Sequence, residues 1–448
     1  LAEQFSDIPS GMMPIFATDM SNAPIELYSG PITIHTDNKT TANDARIYFT
    51  WLPEPEIVAD VIPDSELDFK LFGFDNTISL KIDKLNIETN AIGTFLTIGN
   101  ESSMVLHLHP CVMNTASECS NMMFQVVNFT NYMGTAISFT QNSYSRGRME
   151  LSTDGWQIIL DQTPNCSDLE KQLKKDGGYA ITHTGRIERV DGSSFSIADG
   201  HRIIDRIRLF LSFCRGRFVG IPFIRGIDSS GNHVYEEWLP AIVSPWKGVR
   251  SWLPEHNIGD VTKAFCHFNY LCNNQDWYDS ILAAIHWYIF ANENLTRLEG
   301  SIALAQIAME RLSWMKMVID QCAISQDGFN RLCASDNFNI LFNHLGIPRG
   351  IPSELHKLCA YCKSSHISSL SECITQFRND IVHPPKKNKT SPDKDTLYEA
   401  YNASIWALEL VILALIQYRG QYVSRVNPKI IWTGQSELVP WVVTQLPG

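Results

Sequence analysis

Apolar and polar positions change period once along the chain, near residue 243. Before that point apolar residues alternate with polar ones, or gather in short runs rich in branched and aromatic side chains. Residues 32–35, 45–51, 77–82, 94–98, 104–108, 124–129, 155–160 and 179–190 read in this way as strands. Clusters of Asn, Asp, Gly and Pro separate them at short intervals, as in a β-sandwich or an open barrel. Two helices interrupt the pattern. Residues 167–175 form a short polar one, and residues 199–213 an amphipathic one with Ile203, Ile204, Ile207, Phe210 and Leu211 on a single face. Residues 218–227 and 233–238 then read as a hairpin around Asp228-Ser229-Ser230-Gly231-Asn232.

Residues 244–260 carry prolines and glycines without a clear period and read as a linker. Beyond them the spacing is helical. Helices are predicted over 261–272, 276–293, 298–318, 355–364, 370–382 and 397–419, with one or two short ones over 329–345. The second has a broad apolar face of Trp277, Ile281, Leu282, Ile285, Tyr288 and Ile289. The expected fold class is α+β: a β-rich, sandwich-like domain over 1–243, then an all-α helical bundle over 261–425. An irregular tail over 426–448 follows, with a short strand around 429–432.

Composition narrows the class. A chain of 448 residues, 44% apolar and 19% charged, is a globular protein of two or three domains. Its formal net charge of -12 argues against a passive coat on nucleic acid and leaves room for an enzyme that meets RNA through a local basic patch. The 11 cysteines are scattered and odd in number, which reads as reduced and intracellular. No secretory leader is visible, and the most apolar run, 405–418, is broken by Glu409 and too short to span a bilayer. The expectation is a cytoplasmic protein with no membrane partner.

Several constellations bear on chemistry. Arg202, Arg206, Arg208, Arg215, Arg217 and Arg225 form the clearest basic concentration, either a groove for a phosphate backbone or a helix face paired internally with Asp199 and Asp205. His107 and His109 share a strand face, and Cys359, Cys362, His366 and Cys373 fall close together. Neither set has the second ligand pair of a known metal site, so packing roles are expected and no metal or other cofactor is assigned. The sharpest signal is Arg378-Asn379-Asp380-Ile381-Val382-His383. Leu370, Ile374, Phe377 and Ile381 repeat at helical spacing, and Pro384-Pro385 stop the helix. Asn379 and His383 share a face, and the long side chain of Arg378 reaches over the turn between them. Two other arginine–histidine pairs have comparable spacing, Arg250 with His256 and Arg349 with His356, but each spans a proline.

The six-residue stretch resembles the signature of HEPN-domain ribonucleases: an arginine, a polar neighbour, and a histidine four to six residues on. The order of helices around it is similar to the HEPN fold, and further points of match lie toward the ApeA-like anti-phage branch. These are Ala284-Ile285-His286-Trp287-Tyr288, residues 305–312, Leu345-Gly346-Ile347-Pro348 and Tyr418-Arg419-Gly420-Gln421-Tyr422. The resemblance covers roughly residues 260–425 and is general only for the N-terminal half. It implies a HEPN-like bundle that cleaves RNA without a metal, as a homodimer joined through the helical domain.

On that reading His383 takes the proton of a 2′-hydroxyl, Arg378 stabilises the charge on phosphorus, and Asn379 and Asp380 orient the imidazole. Lys386, Lys387 and Lys389 would bind substrate phosphates, or merely solvate their loop. The products would be 2′,3′-cyclic phosphate and 5′-hydroxyl ends. The implied partners are RNA, with tRNA or other cellular RNA as target, and a phage-derived trigger sensed by the N-terminal domain. A second reading keeps the helical domain as a non-catalytic dimerisation or nucleotide- or RNA-binding module, with Arg378 and His383 capping a helix end.

Overall fold

The computed structural model describes residues 8–36, 39–62, 78–97, 103–140, 143–293, 297–382, 392–427, 429 and 435–443. It is a mixed α+β structure with a strand-rich N-terminal half and a helical C-terminal half.

The strands divide into two systems. β1 (Ile25–Thr36), β2 (Lys39–Thr50), β3 (Glu56–Ile62), β4 (Ile78–Ile82), β5 (Ile87–Thr97) and β6 (Ser103–Leu108) close into a barrel in the order β1-β2-β3-β6-β5-β4. The closing pair is β4 against β1, with Ile34 opposite Leu80. Inward residues alternate along each strand, and Ile47, Phe49, Leu80 and Leu106 are fully buried. The sequence pattern suits a β-sandwich or an open barrel, with a sandwich-like domain expected, whereas these six strands close on themselves. Barrel and sandwich strands show the same alternation, so only the return of β4 to β1 separates them.

The second system is an eight-stranded antiparallel sheet. Its strands are β7 (Cys111–Met113), β9 (Asn121–Val127), β10 (Thr135–Thr140), β11 (Ser143–Thr153), β12 (Trp156–Gln162), β13 (Ile181–Arg189), β15 (Gly220–Ile227) and β16 (His233–Trp238). Their order is β10-β11-β12-β13-β9-β15-β16-β7. The small pair β8 (Glu118–Cys119) and β14 (Phe195–Ser196) stands apart from it. Val127, Phe223 and Trp238 turn one face toward the barrel core. Met122, Phe124 and Val126 turn the other toward α2 (Ile197–Arg215). Covered on both sides, the central strands have no solvent face.

α2 begins where the Ser196 hydroxyl accepts the Asp199 amide at 3.1 Å, and ends at Gly216, which takes the left-handed φ of 71°. Its buried face is the expected stripe of Ile203, Ile204, Ile207, Phe210 and Leu211. The same helix joins the two halves. Phe210 meets Phe265 at 5.4 Å, and Phe213 meets both Trp252 at 5.1 Å and Tyr288 at 5.5 Å. One continuous apolar core therefore runs from the sheet into the helices. Residues 244–260 are mostly irregular, yet Trp252 and Leu253 are buried within that core, and Trp246 is buried in a separate cluster with Leu169, Leu173 and Ala180.

The helical half comprises α3 (Gly259–Leu271), α4 (Gln275–Glu293), α5 (Arg297–Trp314), α6 (Gln326–Arg331), α7 (Ala334–Leu345), α8 (His356–Ser364), α9 (Leu370–Val382) and α10 (Lys394–Leu415). A π turn, Met315–Asp320, extends α5. α10 packs against α4, α5, α7, α8 and α9. Such enclosure explains why its sequence is apolar nearly all round, from Ala400 to Leu415. A short ladder of Gln421–Tyr422 with Glu437–Leu438, followed by a single helical turn over Pro440–Val443, ends the described fold. Most of the strand expected around 429–432 lies outside the described residues. No helix among the described residues is long and apolar enough to cross a membrane.

Candidate functional site

α9 is anchored at its start, and its last described turn is less deeply buried. The Ser369 hydroxyl accepts the Glu372 amide at 3.2 Å, and the Glu372 carboxylate reaches back to the Ser368 amide at 2.9 Å. Leu370, Cys373, Ile374 and Phe377 are buried, and Phe377 packs its ring 5.3 Å from Tyr361 on α8. Cys362 and Cys373 bring their sulfurs to 3.4 Å between α8 and α9, a packing contact of the expected kind. The last turn then leaves the core: Arg378, Asn379, Asp380 and Ile381 are half-buried and Val382 is exposed.

In that turn Arg378 donates Nη1 to Asn379 Oδ1 at a long 3.4 Å. Among the described residues no carboxylate pairs with the guanidinium. Asp380 accepts from Gln376 Nε2 at 2.8 Å, one helical turn back. Arg378, Asn379 and Asp380 are thus gathered at one solvent-facing helix end. His383, Lys386, Lys387 and Lys389 lie outside the described residues. The described part of the motif offers a fixed cation, an amide and a carboxylate within one turn, which can hold and orient an anionic ester.

The arginines that could form a phosphate groove or pair internally are dispersed. Arg202 pairs with Asp199 at 2.8 Å, Arg208 with Asp205 at 3.3 Å, Arg217 with Glu293 at 3.4 Å and Arg225 with Glu236 at 2.7 Å. Arg206 is buried and donates to Asn269, Asn273 and the Cys272 carbonyl, closing the end of α3. The expected pairs with Asp199 and Asp205 hold for Arg202 and Arg208, whereas Arg217 and Arg225 meet glutamates and Arg206 meets neutral oxygens. His107 meets Glu56 at 2.6 Å across the barrel wall. His286 sits edge-on to Phe218 at 5.1 Å, and burial lowers its pKa. Among the described residues no group of three or more His, Cys, Asp or Glu is placed to hold a metal ion.

Sequence reasoning missed a buried polar network beside the interface of the two halves. Glu409 on α10 has no exposed surface and accepts from Tyr288 Oη at 2.7 Å and Arg425 Nε at 2.9 Å. Arg425, 3% exposed, also donates to Asn292 Oδ1 at 2.8 Å and to the Arg250 carbonyl. Asn292 in turn donates to the carbonyls of Gly216 and Arg250. Burial raises the Glu409 pKa, while the guanidinium and the two donated hydrogen bonds oppose that rise. The one available signal was a carboxylate inside the apolar run 405–418; its partner Arg425 lies beyond the last predicted helix, where no periodicity points to it. Beside this network lies a cavity of about 210 Å³ whose walls include Arg215, Arg250, Ser424 and Arg425.

Comparison with known proteins divides the chain at a similar place. Residues 114–249 match the YopA central domain and residues 274–437 match the YopA C-terminal domain. The first covers the eight-stranded sheet without β7, together with α2, and the second runs from α4 into the terminal ladder as far as Glu437. The interval between them, residues 250–273, holds the later part of the connection and α3. No solved structure matches. Across 429 residues the chain is 27% identical to the SPbeta prophage-derived uncharacterized protein YopA of Bacillus subtilis (strain 168), spanning 94% of this chain and 95% of that protein.

Proposed function

We propose that this protein is a metal-independent endoribonuclease of the HEPN type, acting in the cytoplasm in anti-phage defence or as a toxin. The observation that supports the reading best is the last turn of α9, where Arg378 leaves the core with no carboxylate partner among the described residues, beside Asn379 and Asp380. The packing of α4, α5, α9 and α10 about a common core suits a HEPN-like bundle. The strand-rich half would sense a phage-derived trigger or restrain the site.

The chemistry follows from the residues. The neutral His383 imidazole takes the proton from a ribose 2′-hydroxyl, and the freed oxygen attacks the adjacent phosphorus. The P–O5′ bond breaks, giving a 2′,3′-cyclic phosphate, and the leaving 5′-oxygen takes a proton from the imidazolium of the same histidine in a second protomer. Arg378 neutralises the negative charge that grows on the phosphoryl oxygens. Lys386, Lys387 and Lys389 follow in the chain and would hold flanking phosphates of a tRNA or other cellular RNA.

The test is cleavage of total RNA by the wild type, Arg378→Ala and His383→Ala, with the ends identified by sequencing. Loss of the general base is expected to slow cleavage by about 10²–10⁴-fold while folding and dimerisation persist. Cleavage unchanged in both variants, or dependent on a divalent ion, would sink the proposal and leave a non-catalytic dimerisation or RNA-binding role.

A further inference from the structure

Arg215 ends α2 in a setting that exposes an electrostatic deficit. It is 6% exposed and donates Nη2 to the Lys247 carbonyl at 3.0 Å. Its guanidinium lies over the Trp246 ring at 4.5 Å, and its Nε has no hydrogen-bond partner. Among the described residues no carboxylate forms an ion pair with it, in contrast to Arg202, Arg208, Arg217 and Arg225. Burial lowers its pKa to about 10, even with the opposing field of Glu255. A guanidinium removed from water without an ion-pair partner is held at a cost that an anion brought to it would reduce.

The surroundings supply a place for one. Arg215 lines the cavity of about 210 Å³ together with Arg250 and Ser424. Ser424 is fully buried, and its hydroxyl has no partner beyond a contact with the Tyr422 hydroxyl. Arg425 lines the same wall, but Glu409 behind it already meets its charge at 2.8 Å. Arg250 is half-buried, with a long 3.4 Å contact to Asn402 and no carboxylate ion pair among the described residues. Glu255 and His256, both exposed, mark the solvent side. In a chain of net charge -12 this wall is locally cationic.

We propose that this cavity binds the phosphate group of a small molecule, held by Arg215, Arg250 and the Ser424 hydroxyl. A carboxylate needs one guanidinium for its two oxygens; two guanidiniums and a hydroxyl suit the several oxygens of a phosphate. The apolar sides of Val249, Leu253 and Val423 leave room beside the anion for a sugar or nucleoside. Arg215 belongs to the strand-rich half and Ser424 to the chain after α10, so an occupant would touch both halves at their seam. The inference stands apart from the chemistry at the end of α9.

Isothermal titration of the full chain at low salt tests it with inorganic phosphate, glucose 6-phosphate and AMP, and glucose as the neutral control. Saturable binding of at least one phosphate compound and none of glucose is expected. Tightest binding by AMP would name a nucleotide as the source, by glucose 6-phosphate a sugar phosphate, and equal affinities free phosphate. Arg215→Gln and Arg250→Gln should each weaken binding about tenfold or more. The half-buried Arg250 provides the readout should Arg215→Gln fail to fold. No binding of any phosphate compound up to about 10 mM, a concentration that would reveal even millimolar affinity, overturns the proposal. So does binding unchanged in a folded variant of either arginine.

Discussion

The buried pair of Glu409 and Arg425 offers a quantitative test of what holds the helical half to the segment around it. Both residues are almost wholly withdrawn from water, and they meet at 2.8 Å. Glu409→Leu leaves Arg425 with only the neutral oxygens of Asn292 and Arg250, and leaves the Tyr288 hydroxyl without its acceptor. Arg425→Met leaves the carboxylate with Tyr288 as its one donor among the described residues. Each single change therefore strands a buried charge and should cost about 3–5 kcal/mol, or roughly a 10²–10⁴-fold fall in the folding equilibrium constant. In the double variant neither charge remains. Its cost should fall to about 0–2 kcal/mol, with a coupling energy of roughly 3 kcal/mol or more. Urea unfolding followed by circular dichroism at the helical band provides the four corners of the cycle, with the helix-weighted transition compared across variants. Single variants that cost less than about 1 kcal/mol, or a double variant as unstable as the sum of the singles, would refute this account of the network.

Two further outcomes concern the strand-rich half. His183 is fully buried between Tyr132 and Phe129, each ring 5.3 Å away, and burial depresses its pKa to about 3. Below about pH 6.5 the unfolded chain holds a proton that the folded one refuses, so stability falls as pH drops from there toward 3, by up to about 1.4 kcal/mol per unit. His183→Phe should flatten the wild-type slope by that amount in this window; parallel slopes would contradict the burial argument. Gly185 on β13 faces Phe124 on β9, and a methyl group there would run into the ring. Gly185→Ala should cost about 1–3 kcal/mol, with part recovered by adding Phe124→Leu; a neutral single variant, measured by thermal unfolding, would show that the ring moves aside freely.

What could be read from the sequence was local. The stripe on α2 at Ile203, Ile207 and Phe210, the face of α9 at Leu370, Ile374 and Phe377, and the hairpin around Asp228 all appear where periodicity and turn chemistry place them. These features depend on residues a few positions apart, so their pattern survives in one dimension. At the candidate site the same logic located the helix carrying Arg378, Asn379 and Asp380, because burial of one helical face dictates where its polar end emerges. The partners of the strands were not legible. Alternation in β1 and β4 says which side chains turn inward, but not that Ile34 will lie opposite Leu80 and close a barrel. Nor could a linear pattern bring Glu409 to Arg425, or set Arg215, Arg250 and Ser424 around one cavity, since these residues come from four separate segments. A buried charge records only its need for a partner; which residue answers it is decided when the chain packs.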